Sequence, residues 1–271
     1  MARARRFDWS NLWLRIVSGA VLAPAALALA WHGGGLFLAM VAIAVSLLSI
    51  EWAVMAAPAA PARVAVSMTA SLLAMVFLAY AGAIRSAMAM ILFGALAAAV
   101  VSRGVTQRRA DAAYGVLYVG PACLAIVWLR HTHQGAGWTV MLLATTWAAD
   151  ICAFAAGNAL KGPRLWPRFS PNKTWSGFFG GLVGASAAAV AAAAWLMRLS
   201  LLGAAVIGLA AGLATMMGDL WESMLKRRFG VKDSGDLIPG HGGLLDRVDG
   251  LMFATMVFAA ARLIVRFGWA H

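Results

Sequence analysis

Nine stretches of roughly 20 predominantly apolar residues follow one another along the chain. They lie near 12–31, 35–57, 64–84, 86–102, 113–129, 137–156, 176–197, 200–219 and 250–268, with only short polar joints between them. Each is long enough to cross the hydrocarbon core of a bilayer as a helix. Together they use most of the 271 residues and leave no room for a second domain. The expected fold is therefore all-α: one polytopic integral membrane bundle over 1–271 with about nine transmembrane helices. Composition agrees, because 63% hydrophobic and 12% charged residues exclude a soluble globule of this size. The net charge of +12 is spread thinly between apolar runs, which argues against a nucleic-acid binder. Cys123 and Cys152 both fall in apolar stretches and lack the spacing of a disulfide framework.

The first span follows Arg3, Arg5 and Arg6 and contains Ala28-Leu29-Ala30, which has the look of a signal-peptide cleavage site. Its apolar run is long for a signal peptide and holds Arg15, so a retained first helix is expected. Placing the N-terminus in the cytoplasm puts most of the 22 Lys and Arg residues on the inner side, including clusters at 161–173 and 226–232. Gly177 with Gly181, Gly180 with Gly184, and Gly208 with Gly212 are pairs four residues apart. Such pairs predict close helix contact within the monomer, with a dimer seam as the alternative.

Six of the ten acids lie between 219 and 249, at the cytoplasmic boundary, where ionisable groups are functional candidates. Asp219, Glu222 and Lys226 share one helix face, and Asp246 and Asp249 share another. Two carboxylates one turn apart can hold a divalent cation that keeps positions open for phosphate oxygens. The competing expectation is ordinary ion pairing of Asp219 and Glu222 with Lys226, Arg227 or Arg228. Between the two acidic segments stands Pro239-Gly240-His241-Gly242-Gly243, whose glycines permit a backbone concavity for an anion. Donors for phosphates on one side and acids for a metal on the other are what a nucleoside triphosphate needs. Glu51, inside the second span, is expected to pair with Arg15, with a place in a substrate cavity as the alternative. Asp150 is expected either to bind metal or nucleotide or to pair with Lys161 or Arg164.

These residues resemble a known family. Ser223-Met-Leu-Lys226-Arg227, Lys232-Asp233-Ser-Gly235 and Ile238-Pro239-Gly-His241-Gly242-Gly243-Leu244-Leu-Asp246-Arg247-Val248-Asp249 are similar to the signature of the phosphatidate cytidylyltransferases, also called CDP-diacylglycerol synthases. Asp150, Ala153, Phe154 and Gly157 look like that family's Asp-x-x-Ala-aromatic-x-x-Gly stretch. Ser170-Pro171-Asn172-Lys173-Thr174 resembles its Ser-Pro-Lys-Lys-Thr segment, departing from it at Asn172, and Ser176 stands where the family usually has Glu. The site thus falls in the C-terminal half, about 145–250.

The resemblance implies transfer of CMP from CTP to phosphatidic acid, giving CDP-diacylglycerol and pyrophosphate in phospholipid biosynthesis at the bacterial inner membrane. It implies a homodimer and Mg²⁺, with or without a monovalent companion cation. Catalytic roles fall on Asp219, Lys226, Asp246 and Asp249, with the metal on Asp219, Asp246 and Asp249. Binding roles in the cytoplasmic loop at 158–175 fall on Ser170, Lys173 and Thr174. In the segment at 220–249 they fall on Ser223, Arg227, Lys232, Asp233, His241, Gly242, Gly243 and Arg247.

A transporter would suit Glu51 and Asp150 inside spans but leaves the cytoplasmic cluster of acids, bases and glycines without a purpose. A CTP-dependent lipid kinase shares membrane, metal and nucleotide, and the intact 223–249 signature favours the cytidylyltransferase over it. The Asp-Gly-x-x-Ala-Arg pattern of CDP-alcohol phosphotransferases does not occur. Topology gives a first test. Single cysteines at exposed positions of 158–175 or 220–249, in a background lacking Cys123 and Cys152, should resist a membrane-impermeant thiol reagent on intact cells. Labelling from outside would contradict the orientation.

Overall fold

The computed structural model describes residues 9–104, 108–167, 170–197, 199–235 and 242–266. Within them the chain forms nine helices and one short ribbon. The N-terminal half consists of α1 (Trp9–His32), α2 (Gly34–Ala56), α3 (Pro61–Tyr80), α4 (Ile84–Val101) and α5 (Arg109–His131). The C-terminal half begins with α6 (Gly135–Leu160), then an antiparallel ribbon of β1 (Arg164–Trp166) and β2 (Ser170–Thr174), and continues with α7 (Trp175–Leu196), α8 (Leu201–Arg228) and α9 (Leu245–Arg266). Eight of the helices, α2 to α9, are long and apolar enough to cross a membrane, and the described part of α1 adds a shorter apolar helix, Ser18–His32. The protein is a multi-pass membrane bundle, as the run of apolar stretches predicts.

Two features lay outside that expectation. The ribbon occupies the joint between α6 and α7, where hydropathy carries no signal. Helix α8 continues nine residues beyond its expected end at 219, because the polar turn from Leu220 to Arg228 is helical although it is not apolar. At 1.5 Å per residue α8 is about 42 Å long, against roughly 30 Å of hydrocarbon, so its basic end stands clear of the lipid core.

A Schellman arrangement stops α8. Val231 N–H bonds the Lys226 carbonyl at 2.9 Å, Gly230 N–H bonds that of Arg227 at 3.1 Å, and Gly230 takes the left-handed φ of 75° that the motif needs. Ser200 and Thr174 cap α8 and α7 by accepting from Gly203 N–H and Gly177 N–H.

The paired glycines are packing devices inside the chain, as one of the two sequence readings holds. Gly177, Gly180, Gly181 and Gly184 bring α7 onto Ala149, Cys152, Ala153 and Ala156 of α6, and Gly208 and Gly212 bring α8 onto Ala185 and Ser186 of α7. Lipid tails are as apolar as leucine, so tight van der Waals contact between small residues is what holds helices together here. A larger core forms on α2 to α5, with Phe37, Trp52, Met68, Leu72 and Met75 fully buried, and reaches Leu225 and Leu245 of α8 and α9.

A Cβ at Gly208 would lie 2.7 Å from Ser186 Cα and 2.8 Å from the Ala185 carbonyl oxygen, both backbone atoms. Gly208→Leu is therefore expected to destabilise the bundle by about 1–3 kcal/mol through overpacking. A lowered melting temperature in detergent micelles checks this, and an unchanged one would contradict the seam.

Candidate active site

The close approach of α8 to α9 creates the site. A Cβ at Gly218 would fall 2.5 Å from the Asp249 carbonyl oxygen, and one at Gly250 would fall 2.8 Å from Asp219 Oδ1. Only glycines at both positions let the two backbones meet, and the meeting sets Asp219 of α8 beside Asp249 of α9. Asp249 is 9% exposed and lies within electrostatic range of Asp219 and Glu222. Asp150, near the end of α6, lies within range of Asp219, Lys173 and Arg247, so the third acidic position joins the same centre.

Two lysines answer these acids. Lys173, from β2, contacts Asp219 Oδ2 at 2.6 Å. Lys226 bridges two carboxylates, Glu222 Oε2 at 2.8 Å on its own helix and Asp246 Oδ1 at 2.6 Å on α9. The Glu222 contact is the i, i+4 pair that the competing sequence reading foresees. Asp219 instead finds its partner in the ribbon. Asp246 turns to Lys226 and also accepts from Ser234 N–H at 3.2 Å. Asp150, Asp219, Glu222, Asp246 and Asp249 thus share this corner with Lys173, Lys226 and Arg247.

Among the described residues no three His, Cys, Asp or Glu side chains close on one point as a metal cage. Asp219 and Asp249 form an open all-oxygen pair. That donor set fits Mg²⁺, which keeps several coordination positions for water and phosphate and uses one or two carboxylates.

The other expected residues divide by place. Thr174 caps α7, accepting from Gly177 N–H at 3.1 Å and hydrogen-bonding Ser176 Oγ at 3.0 Å, so its hydroxyl is committed to local structure. Ser176, despite departing from the family pattern, ties the ribbon down by donating to the Lys161 carbonyl. Gly157 leaves room for that cap, since a Cβ there would meet Thr174 Oγ1 at 2.9 Å. Ser170 opens β2 opposite Trp166. Ser223 is half-buried on α8, whereas Arg227, Lys232, Asp233 and Arg247 are exposed at its mouth. Gly242 takes φ 84°, as a glycine turn requires. His241, with Pro239 and Gly240, lies outside the described residues.

Sequence reasoning missed the role of Glu51. Its carboxylate is 2% exposed and accepts from Leu244 N–H at 2.6 Å, Leu245 N–H at 2.7 Å and Ser234 Oγ–H at 3.3 Å. These are the partners the structure shows for it. The side chain of Arg15, the expected one, lies outside the described residues. Glu51 caps the start of α9 from another helix, where a carboxylate also meets the positive end of the helix dipole. The flanking glycines make the approach feasible: a Cβ at Gly243 would come within 3.1 Å of Glu51 Oε1, and one at Gly235 within 3.3 Å of its Cγ. The amides just after the glycine turn are thus already taken by an internal anion. A charged residue inside an otherwise apolar span was the one signal that could have flagged it.

The sequence model of a cytidylyltransferase family matches residues 13–265. The chain belongs to this family. It is 39% identical over 266 residues to a phosphatidate cytidylyltransferase of Brucella suis biovar 1, covering 96% of this chain and 94% of that protein. Identity with the phosphatidate cytidylyltransferase of Pseudomonas aeruginosa is 38% over 161 residues, 57% of each chain. With that of Mycobacterium bovis it is 38% over 124 residues, 46% of this chain and 40% of the other.

Glu51→Gln keeps the shape but sets an amide N–H₂ against backbone donors. A loss of about 2–3 kcal/mol in stability is expected, together with faster proteolysis within 234–245. An unchanged melting temperature and cleavage rate would remove Glu51 as the tie.

Proposed function

We propose that this protein transfers CMP from CTP to phosphatidic acid, releasing pyrophosphate, with the site facing the cytoplasm at the inner membrane. The observation that carries the reading is the meeting, at the α8–α9 crossing, of the signature acids with two lysines from separate cytoplasmic segments. The family name and the names of the similar proteins support it.

The phosphomonoester of phosphatidic acid is already an anionic nucleophile and needs no dedicated base. One of its oxygens attacks the α-phosphorus of CTP. The bond from that phosphorus to the oxygen bridging to the β-phosphate breaks, and the electron pair leaves with pyrophosphate. The barrier lies in bringing polyanions together and in stabilising the leaving group, which are tasks of positioning and electrostatics. A bound Mg²⁺ would supply neutralisation of the triphosphate and polarisation of its oxygens. Asp219 and Asp249 would hold it, with Asp246, one turn before Asp249, completing the set when Lys226 turns to phosphate.

Lys173 and Lys226 pair with the carboxylates, and each can exchange its carboxylate for a phosphate oxygen when nucleotide arrives. Lys226, Arg227 and Lys232 then take the outer phosphates, while Lys173 and Ser170 serve the phosphatidate head group. Basic residues on both cytoplasmic segments support an inward-facing site. A homodimer, which the resemblance implies, does not enter this chemistry.

The position of label settles the reaction. With purified protein, Mg²⁺ and phosphatidic acid, α-labelled CTP should make the lipid radioactive and γ-labelled CTP should deliver its label to pyrophosphate. Lipid labelled from the γ position would establish a kinase instead. Asp249→Asn should reduce transfer at least about a hundredfold with the melting temperature retained, and a near-normal rate would remove Asp249 from the site.

A further inference from the structure

Glu222 has no part in the chemistry above, yet it lies on α8 one turn before Lys226 and is 2% exposed. Its two oxygens differ. Oε2 holds Lys226 Nζ at 2.8 Å, whereas Oε1 is buried with no hydrogen-bond partner among the described residues. A buried carboxylate oxygen without a donor is costly, and well-packed apolar side chains would join the helices at lower cost than a half-satisfied ion pair. Lys226 is the donor at hand, and a second position for its ammonium would satisfy Oε1.

Three contacts run in series from α8 to the segment before α9. Glu222 takes Lys226 within one helix, where the i, i+4 spacing keeps the pair together whatever α9 does. Lys226 takes Asp246 Oδ1 across to α9 at 2.6 Å. Asp246 Oδ2 accepts from Ser234 N–H at 3.2 Å, and the Ser234 hydroxyl is tied in turn to buried Glu51 at 3.3 Å. Lys226 and Asp246 thus each have a second holder, so the bridge between the helices can open without either group losing its place. Both keep some exposure, 14% and 11% of their side chains, through which a phosphate can reach them, whereas Glu222 is sealed behind them. An ammonium carries three donors. When Asp246 leaves it, one donor is released for a phosphate oxygen and another can pass to Oε1, a short displacement because both oxygens belong to one carboxylate.

We propose that Glu222 is the positioning residue for Lys226: it keeps the ammonium in the site when Asp246 turns to metal, holding it on both carboxylate oxygens while it contacts the triphosphate. This role rests on the proposed transfer from CTP and adds the residue that keeps the lysine in place through the exchange. Glu222 touches neither nucleotide nor lipid and acts through Lys226.

The test is a double-mutant cycle read by calorimetric titration of CTP into the full chain in detergent with Mg²⁺ and without phosphatidate, so that binding rather than turnover is measured. Glu222→Gln keeps the size and one acceptor but removes the charge. It should weaken CTP binding about tenfold, within the range for coupled neighbours, and leave KM for phosphatidate unchanged. In a Lys226→Met background the same substitution should change CTP binding less than about twofold, because a positioning residue has no effect once the group it positions is gone. Glu222→Asp keeps the charge and withdraws it by one methylene. It should recover part of the loss, and it completes the same cycle if melting temperatures show that Glu222→Gln does not fold. A loss that persists undiminished in Lys226→Met would make Glu222 a ligand in its own right, and unaltered CTP affinity in Glu222→Gln would leave it a staple of α8. Either result overturns the proposal. Failure of the unmodified protein to bind CTP, or to place the α-label on lipid, would overturn the transfer reaction itself before any variant is compared.

Discussion

At Gly218 and Gly250 the backbones of α8 and α9 approach so closely that no side chain fits between them. Asp219 and Asp249 flank this point, and their proximity would be unfavourable without compensation at a membrane boundary. Lys173 therefore has to reach in from the ribbon, and Lys226 has to serve Glu222 and Asp246 together. The ribbon is held at the joint between α6 and α7 by the cap at Thr174 and the bond from Ser176 to Lys161. Remove the glycine contact and the carboxylates separate, the lysines lose their partners and the ribbon has no anchor in the site.

The N-terminal helices take part through Glu51. One buried carboxylate on α2 satisfies the first amides of α9 and the hydroxyl of Ser234, which in turn presents its own amide to Asp246. Trp52, the next residue, is fully buried against Tyr114, Tyr118 and Phe229, and its Nε1–H donates to the Asp111 carbonyl at 2.9 Å. The Glu-Trp pair therefore fixes both the loop that carries the signature and the aromatic wall behind it. Ion pairing of Asp111 with Arg228 closes the same corner from α5 to the end of α8.

Much of this was legible before any coordinates. Long apolar runs dictate spanning helices because the bilayer leaves the backbone no other partner, and the small-residue pairs on α7 and α8 read directly as packing seams. The signature from Ser223 to Asp249 directed the search for a site to the C-terminal half of the chain. Partners were harder to read. That Asp219 would meet Lys173, 46 positions away, depends on how α6, the ribbon and α7 stack, and local spacing favoured Lys226, Arg227 or Arg228 instead. Glu51 was seen as an anomaly in its span, but the donors it satisfies lie 183 to 194 positions later. That Thr174 also caps α7 was not visible in the motif, because caps and phosphate sites draw on the same hydroxyls. The ribbon left no trace in hydropathy, which reports only the apolar periods around it.

Lys173 and Lys226 neutralise the carboxylates, and in the proposed reaction they release them when metal and triphosphate bind. This predicts competition between Lys173 and the cation for Asp219. The direct measurement is a Mg²⁺ titration of the purified protein without nucleotide, followed by calorimetry or thermal stabilisation, for the unmodified chain and for Lys173→Met. Freed of its ammonium partner, Asp219 should bind Mg²⁺ about tenfold more tightly, in line with the roughly 1.4 kcal/mol of a charge-assisted contact, while affinity for phosphatidate falls. Weaker or unchanged Mg²⁺ binding in Lys173→Met would contradict the exchange and place the cation elsewhere.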